Sequence, residues 1–432
     1  MNHLRLPLLA ALALAVVLPF TLVPDSILAH SSQSAGRLRP LTSRQIAHRL
    51  SGEVYGFIPY WLETPRTAAG LRTDLLTSVS FFDLWLNANG SLNQSAGGYA
   101  AVENASATAI IQTVHAAGVR ADVTLASFGF ARNRAFLRNR AAQRRAIAQT
   151  AALVKARGLD GVTVDFEGVY RTDLPALGHF VEALRKEIRT RNPIGRVTVA
   201  VGASQAGVAM AGAVLGAHAD RVLIMGYDYR SGSSNTTGST DPLVRRGGGM
   251  SLTWTLNLYR AARLPMNKLI LALPYYGMSW PTRSARVGTT PATSAYRAAP
   301  AYTIRVGLVH LTRRTLRGYD PIEASAWVMV WSPTAHVWRQ TYYDSPTALV
   351  AKFLLARSRG LAGIGLWALG YDNGSVGNWK AIATVYRPAP VRHHEVHRKS
   401  LPAHRIKPRK TVPAHKPQGT PKVIHRSGPT PT

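Results

Sequence analysis

The sequence predicts an α/β fold, a (β/α)8 TIM barrel carrying a small α+β insertion between its seventh and eighth strands. Three observations point there. From Val54 onward, eight short runs of β-branched and aliphatic residues alternate with helix-like stretches, the rhythm of a closed parallel sheet. One run, Asp160-Gly161-Val162-Thr163-Val164-Asp165-Phe166-Glu167, sets carboxylates on one face of an otherwise apolar strand. Residues 275–361 are too many for one connecting helix.

The runs, in order, are Val54–Ile58, Ser78–Phe82, Ala121–Ala126, Val162–Phe166, Val197–Val201, Arg221–Met225, Leu269–Pro274 and Gly363–Trp367. Each is short and β-branched or aliphatic, as a strand buried on both faces requires. Amphipathic stretches such as Arg138–Arg157 and Leu174–Thr190 supply the covering helices. In the fourth run a period of two turns Val162, Val164 and Phe166 to one side and Thr163, Asp165 and Glu167 to the other. Glu167 ends that strand, at the mouth where barrel enzymes keep their chemistry. Within the long gap, Ala326–Trp331 and Val337–Tyr343 are strand-like, which places the insertion at about 278–345. The last barrel helix covers Trp379–Tyr386.

The flanks differ in composition. Residues 1–29 combine a basic start with an apolar run from Leu6 to about Val23, the pattern of a signal peptide. An uncleaved N-terminal anchor is the competing reading, and only then is a membrane a partner. Residues 30–52 form a linker, 53–386 the barrel. Residues 387–432 hold eleven Lys/Arg against one acid, Glu395, with nine prolines, and predict a disordered basic tail. Together with a net charge of +31, the tail points to an anionic cell-wall polymer as partner rather than nucleic acid, which an exported chain rarely meets. The absence of cysteine excludes disulfides, thiolate metal sites and cysteine nucleophiles. No cofactor or metal is expected, and the chain is expected to be a monomer.

The run Asp160–Glu167 resembles the DxxDxDxE signature of glycoside hydrolase family 18, the chitinase family. Met225-Gly226-Tyr227-Asp228 is similar to the family's MxYD segment, and Trp367 to the tryptophan that floors its −1 subsite. Leu273-Pro274-Tyr275-Tyr276-Gly277 and Tyr55-Gly56-Phe57-Ile58-Pro59-Tyr60-Trp61 resemble strands seven and one. The segment Phe81–Leu92, ending Asn87-Ala88-Asn89-Gly90-Ser91-Leu92, places the likeness nearest the bacterial cell-wall and spore-cortex hydrolases. It covers roughly residues 50–386.

The resemblance implies an exported retaining glycosidase acting on β-linked GlcNAc-containing polysaccharide, peptidoglycan favoured over chitin. Glu167 would be the general acid/base, with a raised pKa to which a nearby Asp165 contributes by like-charge repulsion. The substrate's acetamido oxygen would attack C1, with Asp165 and Tyr227 positioning it. Asp160, Asp228, Trp367, Met225, Tyr275 and Trp85 are the candidate substrate-binding residues, and Asp160 would pair with Asp165 in a shortened carboxylate relay. Thr163 departs from the pattern, since most chitinases have an aspartate there. Trp61, Tyr276 and Trp280 are further candidate sugar platforms, and Arg230 would face an acidic glycan or solvent. A bland account stays open for several residues: a turn or cap for Asp160, core packing for Tyr227 and Trp367. A catalytically weak sugar-binding protein on the same barrel is the alternative function.

Overall fold

The computed structural model describes residues 38–388 except 232, 293–296 and 301–314. The signal or anchor segment 1–29, the start of the linker and the tail from residue 389 lie outside the described residues.

Eight parallel strands close a barrel: β1 (Glu53–Pro59), β2 (Ser78–Trp85), β3 (Arg120–Phe128), β4 (Gly161–Glu167), β5 (Arg196–Gly202), β6 (Arg221–Met225), β7 (Leu269–Pro274) and, after the insertion, β13 (Gly363–Trp367). Each pairs with its sequence neighbours, and β1 closes the ring on β13 through Tyr55↔Gly365. The eight runs expected from the sequence are these eight strands, lengthened by one to three residues at some ends. Around them lie the helices α1 (Pro65–Gly70), α2 (Gly97–Glu103), α3 (Ala105–Ala116), α4 (Phe130–Leu137), α5 (Arg140–Ala156), α6 (Leu174–Arg191), α7 (Gln205–Gly216), α8 (Leu252–Ala261), α9 (Pro346–Ser358) and α10 (Val376–Tyr386).

Local chemistry sets the helix ends. The Asn139 carboxamide oxygen accepts from Ala142 N at 3.0 Å, so α5 starts two residues later than periodicity alone suggests. Gly158 (φ +62°) follows the end of α5, where a Cβ would sit 2.6 Å from the backbone of Leu38 and Arg39. The linker therefore packs against the barrel wall just below β4.

The core has two layers. Outward residues, among them Val162, Val164 and Phe166 of β4, pack against the helices. Inward residues, Tyr55, Phe57, Phe82, Ala200, Leu223, Ile270 and Ala272, fill the barrel. Each of the three outward β4 side chains contributes about 1.5–3 kcal/mol by burial. That is enough to hold β4 in register although its other face carries the buried Asp165.

The insertion is an antiparallel sheet in the order β10-β11-β12-β8-β9, made of β8 (Tyr276–Thr282), β9 (Arg297–Pro300), β10 (Thr315–Asp320), β11 (Ser325–Ser332) and β12 (Val337–Tyr343). The two strand-like runs seen in the sequence are β11 and β12, joined as a hairpin with Trp331 opposite Trp338. Two buried polar clusters tie the sheet to the loop after β6. Arg230 and Glu323 form a two-pronged ion pair at 2.6 and 3.0 Å. The Lys352 amine of α9 lies between Asp241 (2.7 Å) and Asp344 (2.5 Å).

Candidate active site

Glu167 and Asp165 leave the same face of β4 at the C-terminal mouth. Asp165 is deep, 7% exposed, and its Oδ1 has no hydrogen-bond partner. Burial, then the charges of Glu167 and Asp83, hold its carboxyl well above the usual range. Glu167 is reached by solvent, yet enough protein surrounds it that lost hydration, followed by the charge of Asp228, raises it as well. The sequence assigned Asp165 as the charge acting on Glu167; the two carboxyls do act on one another, and Asp228 adds a second negative charge beside Glu167 that the sequence reading had not assigned.

Asp83 was not anticipated. β2 and β3 shift register between Phe81 and Leu84, and this irregularity brings Asp83 close to Asp165. Both its carboxylate oxygens are buried without partners, and burial pushes it up to about 7. Strict alternation along β2 gives no warning of it, since Phe82 already faces the barrel interior.

The opposite side of the mouth comes from β6 and β8. Burial and the nearby Asp165, Asp228 and Glu167 raise the Tyr227 phenol far above its ordinary value, leaving it a hydrogen-bond donor at any working pH. Its ring meets Tyr276 edge-on at 6.1 Å. Asp228 takes a left-handed backbone (φ +59°), accepting from Thr240 Oγ1 at 3.2 Å and from the Tyr276 hydroxyl. The half-buried Trp367 forms the floor, packed edge-on against Phe82 at 4.6 Å and tilted on Phe57 at 5.5 Å. Met225 packs into the same apolar group. Trp85 stands at the rim of β2, edge-on to Phe128 at 5.0 Å. Trp61 is exposed next to Tyr60, at 4.8 Å.

Several expected site residues lie elsewhere. Asp160 immediately precedes β4 at the far, N-terminal end of the barrel and is fully buried. Its oxygens accept from Leu41 N (2.6 Å), Ala121 N (2.8 Å) and His115 Nε2 (2.8 Å), so it fastens the linker and α3 to the barrel floor and cannot reach a sugar or join a relay at the mouth. Tyr275 is 2% exposed and packs outward under the helices, out of a ligand's reach. Its neighbour Tyr276 is the one that meets Asp228. Trp280 is buried in the inserted sheet, bonded to Ser231 O. Arg230, read as surface or ligand-facing, is 2% exposed in its pair with Glu323.

Two carboxyls of one strand face with raised affinity for protons, a phenol donor and an indole ring thus stand together at the mouth of the barrel. Residues 54–372 match the family described as Glycosyl hydrolases family 18. The chain belongs to that family. Among curated relatives of this family 18 member, "Probable chitinase 2" of Drosophila melanogaster is 26% identical over 258 residues, 54% of this chain and 51% of that protein. The "Putative sporulation-specific glycosylase YdhD" of Bacillus subtilis is 26% identical over 230 residues, 50% of this chain and 48% of the relative. The chain thus spans about half the length of these curated relatives. The barrel also superposes on a GH18 chitinase from Cycas revoluta solved with (GlcNAc)3, with TM-score 0.64 and 20% identity, covering 77% of this chain and 99% of that one.

Proposed function

We propose that this family 18 chain is an exported, retaining glycosidase that cleaves β-linked GlcNAc-containing glycans, with peptidoglycan its preferred polymer. The observation carrying this is the pair Asp165 and Glu167 on one strand face, with Tyr227 and Trp367 beside them at the mouth. Protonated Glu167 gives its proton to the glycosidic oxygen as the C1–O bond breaks. The substrate's acetamido oxygen closes on C1, Asp165 holding the amide N–H and Tyr227 donating to the amide oxygen. Water then attacks C1, its proton passing to the Glu167 carboxylate, and the ring opens with net retention.

The excess of base over acid, 52 Lys/Arg against 21 Asp/Glu, suits an anionic wall polymer better than neutral chitin. Replacing Glu167→Gln is expected to leave the fold intact and to lower release of reducing ends by about 100-fold or more. Mass spectrometry of products from purified peptidoglycan and from chitin oligomers reads both activity and preference. Undiminished turnover by the variant overturns the assignment.

A further inference from the structure

Below Asp165 the barrel interior holds a line of hydroxyls that ends on a carboxyl the reaction above does not use. Thr163 Oγ1 lies 2.6 Å from Tyr55 OH, which donates to Asp122 Oδ2 at 3.0 Å. Ser80 Oγ flanks the line, 2.9 Å from Thr124 Oγ1 and 3.5 Å from Thr163 Oγ1. Three strands meet here: Tyr55 comes from β1, Asp122 from β3 and Thr163 from β4. All three side chains are buried. Thr163 and Asp165 are two residues apart on one strand face, with Cα atoms about 6.5–7 Å apart, so the Thr163 hydroxyl stands next below Asp165 on that face. Asp165 Oδ1 is the buried acceptor left without a donor.

We propose that Asp122 is a positioning residue for the reaction, acting on Asp165 through the hydroxyls of Tyr55 and Thr163 in place of a carboxyl at position 163. The inference rests on the functional reading above. Direction in such a line is set by its terminus. When Asp122 is ionised, Tyr55 donates down to it, Thr163 donates to Tyr55, and Asp165 receives nothing. When Asp122 holds a proton, each bond reverses: Asp122 donates to Tyr55, Tyr55 to Thr163, Thr163 to Asp165. No proton leaves its oxygen; only the hydroxyls turn. Asp165 then gains the hydrogen bond that steadies it as a carboxylate while positive charge grows at C1.

The surroundings fit a carboxyl that is poised rather than paired. Among the described residues Asp122 has no ion pair, although Arg120 and Arg196 are near; Arg120 donates to Ile194 O, and Arg196 bridges Glu53. Burial and Asp160 raise its pKa, and Arg120, Tyr55 and Arg196 lower it, leaving it at about 7. A carboxyl serving only to neutralise the floor would sit on one of those arginines.

The test is steady-state kinetics on the full chain with (GlcNAc)4 and with purified peptidoglycan. Asp122→Leu, which cannot donate, and Thr163→Val are each expected to lower kcat about tenfold or more with KM changed less than about twofold, whereas Asp122→Asn, whose amide N–H still donates to Tyr55, is expected to keep most of kcat. Asp122→Leu combined with Thr163→Val is expected to be no worse than either alone, because both break one line. Moving the carboxyl one link up, in Asp122→Leu with Thr163→Asp, is expected to recover most of kcat. Wild-type kcat in Asp122→Leu, multiplicative losses in the double variant, or a swap no better than Asp122→Leu each overturns the proposal. Should Asp122→Leu fail to fold, Tyr55→Phe cuts the line at its middle with little change of shape, and full kcat there overturns it equally. A wild-type chain inactive on both substrates counts against the functional reading itself.

Discussion

At the scale of single residues, the two acids that open and close the β4 signature do unrelated work. Asp160 gathers two backbone amides and the His115 ring at the floor. Asp160→Ala leaves buried donors unpaired, at about 1–3 kcal/mol each. The expected result is a clear fall in the denaturation midpoint with kcat/KM held within about threefold of wild type, checked by urea unfolding beside kinetics. Asp228 acts through charge. Its carboxylate helps keep the proton on Glu167, and that proton is lost as pH rises through the raised pKa. Neutralising it in Asp228→Asn lowers the Glu167 pKa, so the alkaline limb of the kcat/KM profile moves to lower pH. A limb that stays in place or moves upward contradicts this role. Glu167, Asp165, Tyr227 and Trp367 could be placed at the mouth from the sequence because each stands within two residues of the C-terminal end of a strand, while the roles of Tyr227 and Trp367 came only from the family resemblance. Asp160 was misplaced for the same reason in reverse: it shares the motif but stands just before the other end of a seven-residue strand. Asp83 and Asp122 were invisible, one because a register shift overrides alternation, the other because its partners come from different strands.

At the scale of elements, the barrel strands could be read from apolar runs because both faces of each are buried. The insertion was legible as a gap with two strands of a hairpin, but its attachment was not, since nothing local marks Arg230 as the partner of Glu323, 93 residues away. That pair is buried and receives further donors from Ser239 N and Arg246 N on the Glu323 side. Removing one partner, in Arg230→Ala, strands a charge and costs about 3–5 kcal/mol. Replacing both, as Arg230→Met with Glu323→Gln, is expected to cost less than the single change. Urea denaturation of the three proteins gives the comparison; a double variant weaker than Arg230→Ala means the pair is not the anchor.

At the scale of the whole molecule, ten of the eleven basic residues of 387–432 lie beyond the unit that ends at Pro388. Truncation after Pro388 is expected to leave hydrolysis of (GlcNAc)4 unchanged while weakening sedimentation with anionic cell walls, and the difference should vanish at high salt, where the Debye length falls to about 3 Å at 1 M. Equal wall binding by the truncated and full chains removes the tail from that role.

The Arg230–Glu323 pair and the Lys352 amine held between Asp241 and Asp344 have one more consequence. They fasten the inserted sheet and α9 to the loop after β6 at two separate places, so one lost pair leaves the other holding the insertion to the barrel.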